Sequence, residues 1–259
     1  MKISASILLP AVVWAGAACG QSSATDSSEP LNDTAKEPAQ SAPADTVAED
    51  SVSVEKLAEA IPEADKESRY KTLSDEDFRI VAKQLGVEVA AIKAVVQIEA
   101  GKKMEGFYAP GVPVVNFDRS MYNVYAPKAP NKAGVKGAKV PAGLTGYALR
   151  EWTQLTNARK VNGDGAYMGT FWGMFQIGGF NYKLCGCSSV DEFVKLMSES
   201  EFAQLELFAR FIVNSGMLND LKNKNWAGFS RKYNGASYAR RGYHTRMAAA
   251  YKKFKAQEK

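Results

Sequence analysis

Trp172-Gly173-Met174-Phe175-Gln176-Ile177-Gly178-Gly179-Phe180-Asn181 is the most specific stretch of this 259-residue chain. Glycines at 173, 178 and 179 bracket apolar residues and one glutamine. Two readings fit. The segment is a core helix loosened by glycine, or its backbone approaches a ligand closely while Gln176 offers a donor and an acceptor.

N-terminal to that stretch, the pattern is helical. Ser74 is placed to cap a helix through Leu85, with Asp75, Glu76 and Asp77 in its first turn and Gly86 as its stop. A second helix is predicted from about Glu88 to Ala100, ended by Gly101. Ile92, Val95 and Val96 recur at i, i+3, i+4 on its apolar face, and Glu99 follows at i+7. A carboxylate there is costly if ionised and unpaired, whereas a carboxyl that keeps its proton is what a general acid needs. Glu99 is therefore a candidate acid, or a buried glutamate paired with a nearby Arg or Lys. The residues Val112 to Arg119 read as one strand, 125–146 as a Lys/Pro/Gly/Ala loop, and 162–165 as a turn.

On the C-terminal side the same helical signals recur. Tyr147 to Lys160 reads as helix, with Ala148, Trp152, Leu155 and Arg159 on one face. Ser189 with Glu192 forms a capping box for the helix that starts at Val190. Phe202, Leu205, Phe208, Ala209 and Ile212 mark a long amphipathic helix that stops near Gly216. Asn225 caps a short helix through Lys232, and a basic helix covers Thr245 to Ala256. Tyr233-Asn234-Gly235 by itself is a turn signal.

Composition narrows the chemistry. Hydrophobic residues at 46% and charged residues at 24% are ordinary for a globular chain, which excludes collagen and wholly disordered classes. A single histidine, His244, excludes multi-histidine zinc chemistry, and three cysteines exclude a four-cysteine zinc site. Phosphate-loop and dinucleotide glycine motifs are absent from the sequence. Cys185-Gly186-Cys187 is too closely spaced for an easy disulfide and reads as two loop thiols. No cofactor and no metal are expected.

Charge divides the chain. Residues 20–70 hold 12 acids against 4 Lys+Arg, a net of −8, with almost no aromatic residue, and read as a disordered tether. Residues 71–259 hold 16 acids against 28 Lys+Arg, a net of +12. A basic domain outside the cytoplasm suits an anionic wall polymer or membrane surface better than a nucleic acid. At the N-terminus Lys2 precedes an apolar run to Ala18 that is too short to span a membrane and suits a secretory signal. Gly16-Ala17-Ala18-Cys19 resembles a bacterial lipobox, with Gly16 where Leu is usual. On that reading residues 1–18 are a lipoprotein signal peptide, 19–70 a lipidated Cys19 with its acidic linker, and 71–259 the folded domain. The alternative is an ordinary signal cut near Ala18.

In this order, Glu99 at a helix end, Gly173-Met174-Phe175-Gln176-Ile177 and Tyr233-Asn234-Gly235 resemble the catalytic Glu, the G-L-[MF]-Q-[IV] segment and the Y-N-x-G segment of the lysozyme-like superfamily. From about Leu73 to Tyr251 the chain resembles more closely the N-acetylmuramidase domain of phage endolysins and bacterial wall proteins. Val81 to Val87, Ile98-Glu99, Asn116-Phe117-Asp118-Arg119, Trp172 to Asn181, Glu199 to Phe211 and Tyr233 to Tyr251 carry that likeness.

The resemblance implies a mainly α (α+β) lysozyme-like fold, a helical bundle around a substrate cleft with a small β-hairpin. It implies cleavage of the β-1,4 bond between N-acetylmuramic acid and N-acetylglucosamine in peptidoglycan. Glu99 is then the acid, Gly173, Met174, Phe175 and Gln176 line the sugar cleft, Tyr233 lies near Glu99 and the substrate, and Asn234 holds the turn or meets the sugar. The family's Phe-Glu-Arg is Phe117-Asp118-Arg119 here, which makes Asp118 the first candidate for a second carboxylate and Asp164 the next, with a strand-end ion pair as the alternative for Asp118. Phe171 replaces a family serine and alters one wall of the cleft, and residues 128–141 lengthen a loop over it. A lytic transglycosylase and a non-catalytic wall-binding lipoprotein remain open. The expected protein is a monomer, anchored by lipid at the periplasmic face of an outer membrane or at the cell surface, that engages glycan strands and no nucleic acid.

Overall fold

The computed structural model describes residues 72–101 and 104–258. The expected signal segment, Cys19 and the expected tether at 19–70 lie outside the described residues. Within them the fold is mainly helical, with two small antiparallel sheets.

The two N-terminal helices form as their caps predict. Helix α1 is Asp75–Leu85; Ser74 and Asp77 make a reciprocal capping box, and Gly86 ends the helix at φ 62°, a left-handed conformation that suits glycine. Helix α2 is Val89–Ala100 and buries Ala90, Ala91, Ile92, Ala94, Val95 and Val96. Alanines and β-branched residues on several faces make it a central helix rather than a surface one. Its N-cap residue, Glu88, holds the C-terminal helix instead of a cap bond: one carboxylate binds Lys224, Lys255 and the Tyr251 hydroxyl. These contacts hold the Glu88 carboxyl down near 2, led by its bonds from Lys224 and Lys255.

The predicted strand over 112–119 is two strands and a helix start. Strand β1 (Phe107–Ala109) pairs antiparallel with β2 (Val112–Pro113). Strand β3 (Val115–Phe117) joins a separate sheet with β4 (Thr170–Trp172) and β5 (Ile177–Gly178) in the order β3-β4-β5. Pro113 has no N–H for a continuous ladder. Val114 is the crossing point: its N–H donates to Gly106 at 2.9 Å and its carbonyl accepts from Gly173 at 2.8 Å. The chain then enters α3 (Arg119–Tyr125), a helix not anticipated inside the strand-and-loop reading.

Helix α4 (Gly146–Val161) buries Trp152 and Leu155. The turn expected at 162–165 is instead the start of helix α5 (Gly163–Met168), because the Asn162 side chain accepts from Gly165 N–H and caps a new helix. The loop at 128–141 is tied to its neighbours. Val135 N–H donates to Arg159, Gly163 N–H to Ala133, and Asn131 N–H to the Asp164 carboxylate, so it lies along the junction of α4 and α5.

The remaining helices follow their predicted caps. Helix α6 is Val190–Met197, where Ser189 accepts from Glu192 N–H while the Glu192 carboxylate turns to Ser188, so only half of the box forms. Helices α7 (Glu201–Asn214), α8 (Leu218–Lys222), α9 (Trp226–Asn234) and α10 (Tyr243–Gln257) complete the fold, with Asn225 capping α9 through Gly228 N–H. The core gathers Ile92, Val95, Val96, Leu155, Trp172, Phe175, Phe193, Phe208 and Phe229. Each such side chain contributes about 1.5–3 kcal/mol on burial. No helix among the described residues is long and apolar enough to cross a membrane.

Candidate active site

Three segments distant in sequence meet through the core. The end of α2 presents Glu99, which is half-buried, with one carboxylate oxygen shielded from solvent. The decisive stretch is neither helix nor open loop. It is a β-hairpin: β4 and β5 pair Trp172 with Ile177, and Gly173-Met174-Phe175-Gln176 makes the turn between them. Gly173 sits at φ 68° and Gln176 at φ 50°. Glycine takes that conformation freely, but Gln176 is strained there. The strain is held by two bonds to the Gly173 carbonyl, one from the Gln176 N–H and one from its side-chain amide at 2.8 Å. Strain kept by its surroundings is a mark of functional turns.

The turn's apolar side chains point inward. Met174 and Phe175 are fully buried, and Phe175 stacks on Phe208 with ring centroids 4.2 Å apart. Their peptide groups are closed to solvent with them, and Gln176 is the half-buried residue through which the turn reaches the surface. Phe171 is also buried, edge-on to Phe180, which stacks on Tyr125 at 4.4 Å. Its bulk belongs to the hairpin's own packing rather than to an open cleft wall.

The third segment ends α9. Tyr233 is buried between Phe229, Phe208 and Phe211, and its hydroxyl donates to the Phe175 carbonyl. Burial drives its phenol far above the ordinary tyrosine range, and the negative charge of Glu99 adds to that shift. The acid candidate and Tyr233 are thus electrostatic neighbours. Asn234 is 2% exposed, and neither amide atom has a hydrogen-bond partner among the described residues. A buried amide in that state is costly unless something arrives to satisfy it.

The two other carboxylates are occupied. Asp118 caps α3: it accepts from Ser120 N–H at 2.8 Å, from Met121 N–H at 3.0 Å and from the Ser120 hydroxyl. The strand-end ion pair with Arg119 is replaced by this cap. Asp164 holds Asn131 N–H at 3.0 Å. Cys185 and Cys187 are free, buried thiols; burial raises both, Cys187 to about 11, which leaves neither as a ready thiolate. His244 is half-buried, edge-on to Tyr238.

Sequence reading passed over two polar residues of α7. Glu201 and Gln204 lie on the same stripe as Phe208 and Phe211, at spacings of three, four and three, and both are buried. Polar residues on an otherwise apolar stripe were the available signal.

The family model for N-acetylmuramidase matches residues 88–255, a span that runs from the N-cap of α2 to the last turns of α10 and holds all three segments. The chain belongs to the N-acetylmuramidase family. A solved structure of similar fold, a Burkholderia AP3 phage endolysin, is 35% identical with a TM-score of 0.58, over 73% of this chain and 72% of the other. A comparison with curated proteins found no match. As a member of the N-acetylmuramidase family, the chain is a peptidoglycan hydrolase.

Proposed function

We propose that the chain cleaves the β-1,4 bond between N-acetylmuramic acid and N-acetylglucosamine, with Glu99 protonating the leaving glycosidic oxygen. The observation that carries this reading is the meeting of Glu99, the strained Gly173–Gln176 turn and the Tyr233-Asn234 helix end around one buried tyrosine. In this reading Gln176, the residue through which the turn reaches solvent, holds the sugar's polar groups. Asn234, with both amide atoms sealed from solvent, shapes the helix end behind the cleft. Tyr233 holds the turn through its bond to the Phe175 carbonyl.

A second carboxylate is the further requirement for hydrolysis by either route. In an inverting enzyme it activates water about 6.5–9.5 Å from the acid, and in a covalent retaining enzyme it is the nucleophile about 5–5.5 Å away. Asp118 retains its second oxygen for that task, although its first is bound up in the cap. That occupation of Asp118 favours a second reading, lytic transglycosylation, in which the muramoyl 6-hydroxyl attacks and no second carboxylate is needed.

Mass spectrometry of muropeptides released from purified peptidoglycan tests both readings. Reducing muramic acid ends support hydrolysis. Products lighter by one water, ending in 1,6-anhydromuramic acid, overturn it in favour of transglycosylation. Secretion and lipid attachment at Cys19 complete the proposal, and place the domain on a tether outside the cytoplasm. A Cys19→Ala chain should leave the membrane fraction; persistent anchoring would contradict lipidation.

A further inference from the structure

We infer that Gln204 and Glu201 are positioning residues that brace Gly106, seven residues after Glu99, against the Gly173–Gln176 turn, and so fix the distance between acid and sugar site. The inference rests on the reading of Glu99 as the acid.

The geometry is a clamp on one peptide. Gly106 lies seven residues after Glu99. Its N–H donates to one oxygen of Glu201 at 2.7 Å, while the other oxygen of Glu201 accepts from Leu73 N–H at 2.8 Å. The Gly106 carbonyl accepts from the Gln204 amide at 3.2 Å. That amide also donates to Met197 at 2.9 Å, and the Gln204 side-chain oxygen accepts from Met174 N–H at 2.9 Å. One fully buried amide therefore joins three places: the entry to the first hairpin, the end of α6, and the turn. Both donors and the acceptor are used.

The fit leaves no room for variation. A Cβ on Gly106 or on Gly173 would overlap the Gln204 amide. Val114 joins the same two glycines through its backbone, N–H to Gly106 and carbonyl to Gly173. Gly106 and the turn are thus tied twice, once through main chain and once through Gln204. A leucine or methionine would fill the same volume in the core. Only an amide of this reach fixes the register of both loops, because each lost bond strands a buried partner.

The test uses the full chain. Gln204→Met keeps the volume and removes all three bonds. The readouts are kcat and KM on soluble glycan-strand fragments, melting temperature, and hydrogen exchange at the Gly106 and Met174 amides. The expected result is a folded protein with faster exchange at both amides, kcat down by about 10-fold to 100-fold, and KM within about 3-fold, since a misplaced acid costs chemistry more than binding. A folded variant with wild-type kcat would overturn the inference. If Gln204→Met fails to fold, Glu201→Gln decides by the same readouts: it keeps the shape but replaces one acceptor by a donor facing a backbone N–H. Loss of kcat with faster Gly106 exchange supports the brace, and unchanged kcat overturns it. Glu99→Gln alongside separates the two failures. Wild-type turnover in Glu99→Gln sinks the acid assignment, whereas an inactive Glu99→Gln beside a fully active Gln204→Met sinks only the brace.

Discussion

The Tyr233 hydroxyl donates to the carbonyl of Phe175, and this bond ties the last turn of α9 to the hairpin turn that carries Gln176. Both partners are buried, and the ring of Tyr233 stacks on Phe229 at 5.4 Å. A Tyr233→Phe chain keeps the stack and strands the carbonyl. It should lose about 1–3 kcal/mol of stability, the cost of an unsatisfied buried acceptor. Turnover should fall as well, because the turn loses an anchor. Thermal melts and turnover assays check both; unchanged melting would show that the bond contributes nothing.

Glu201 gives a pH prediction. Burial pushes its carboxyl up to about 7, against two backbone bonds that favour the charged form, and Glu105 and Asp77 add to the rise. The folded protein thus holds this proton more tightly than the unfolded chain. Its contribution is fully present below the ordinary glutamate value of 4.5 and is lost as pH rises through about 7. The melting temperature of wild type minus that of Glu201→Gln should therefore fall between those two values and level off above. A difference constant with pH would contradict it.

The Glu88 hub behaves in the opposite sense. Its carboxyl is held down to about 2 by Lys224, Lys255 and Tyr251, so its support is present above 4.5 and lost as pH falls toward 2. The groups are substantially exposed, and salt screens them. Glu88→Gln should cost about 0.5–1 kcal/mol at neutral pH, less in high salt, with the gap to wild type closing in acid. Melting curves across pH and salt measure this.

Gly179 is required by space. A Cβ there would overlap the backbone carbonyl of Tyr167, which cannot move aside as a side chain could. Gly179→Ala should cost about 1–3 kcal/mol, as overpacking does. Equal stability in a denaturant titration would mean that α5 shifts freely.

Sequence made the helical frame legible because caps and apolar spacing act locally. Ser74, Gly86, Asn225 and the Ile92-Val95-Val96 stripe behave as read. The strand region was misread because its pairing is decided elsewhere: Val114 crosses between sheets through bonds to Gly106 and Gly173. Asp118 and Asn162 show the same limit at helix starts, where a short polar residue serves equally as turn, ion pair or cap. In the site, motif order located Glu99, Gln176 and Tyr233. It could not show that Met174 and Phe175 face the core, nor that Gln204 reaches Gly106, since those depend on how α7 packs behind the turn.

The most direct test of the account is turnover of purified peptidoglycan by the Glu99→Gln chain, with its melting temperature measured in parallel. The account predicts a folded protein whose turnover falls by about 10²–10⁴-fold, the range a positioned general acid supplies. A folded Glu99→Gln chain that turns over at close to the wild-type rate would contradict it.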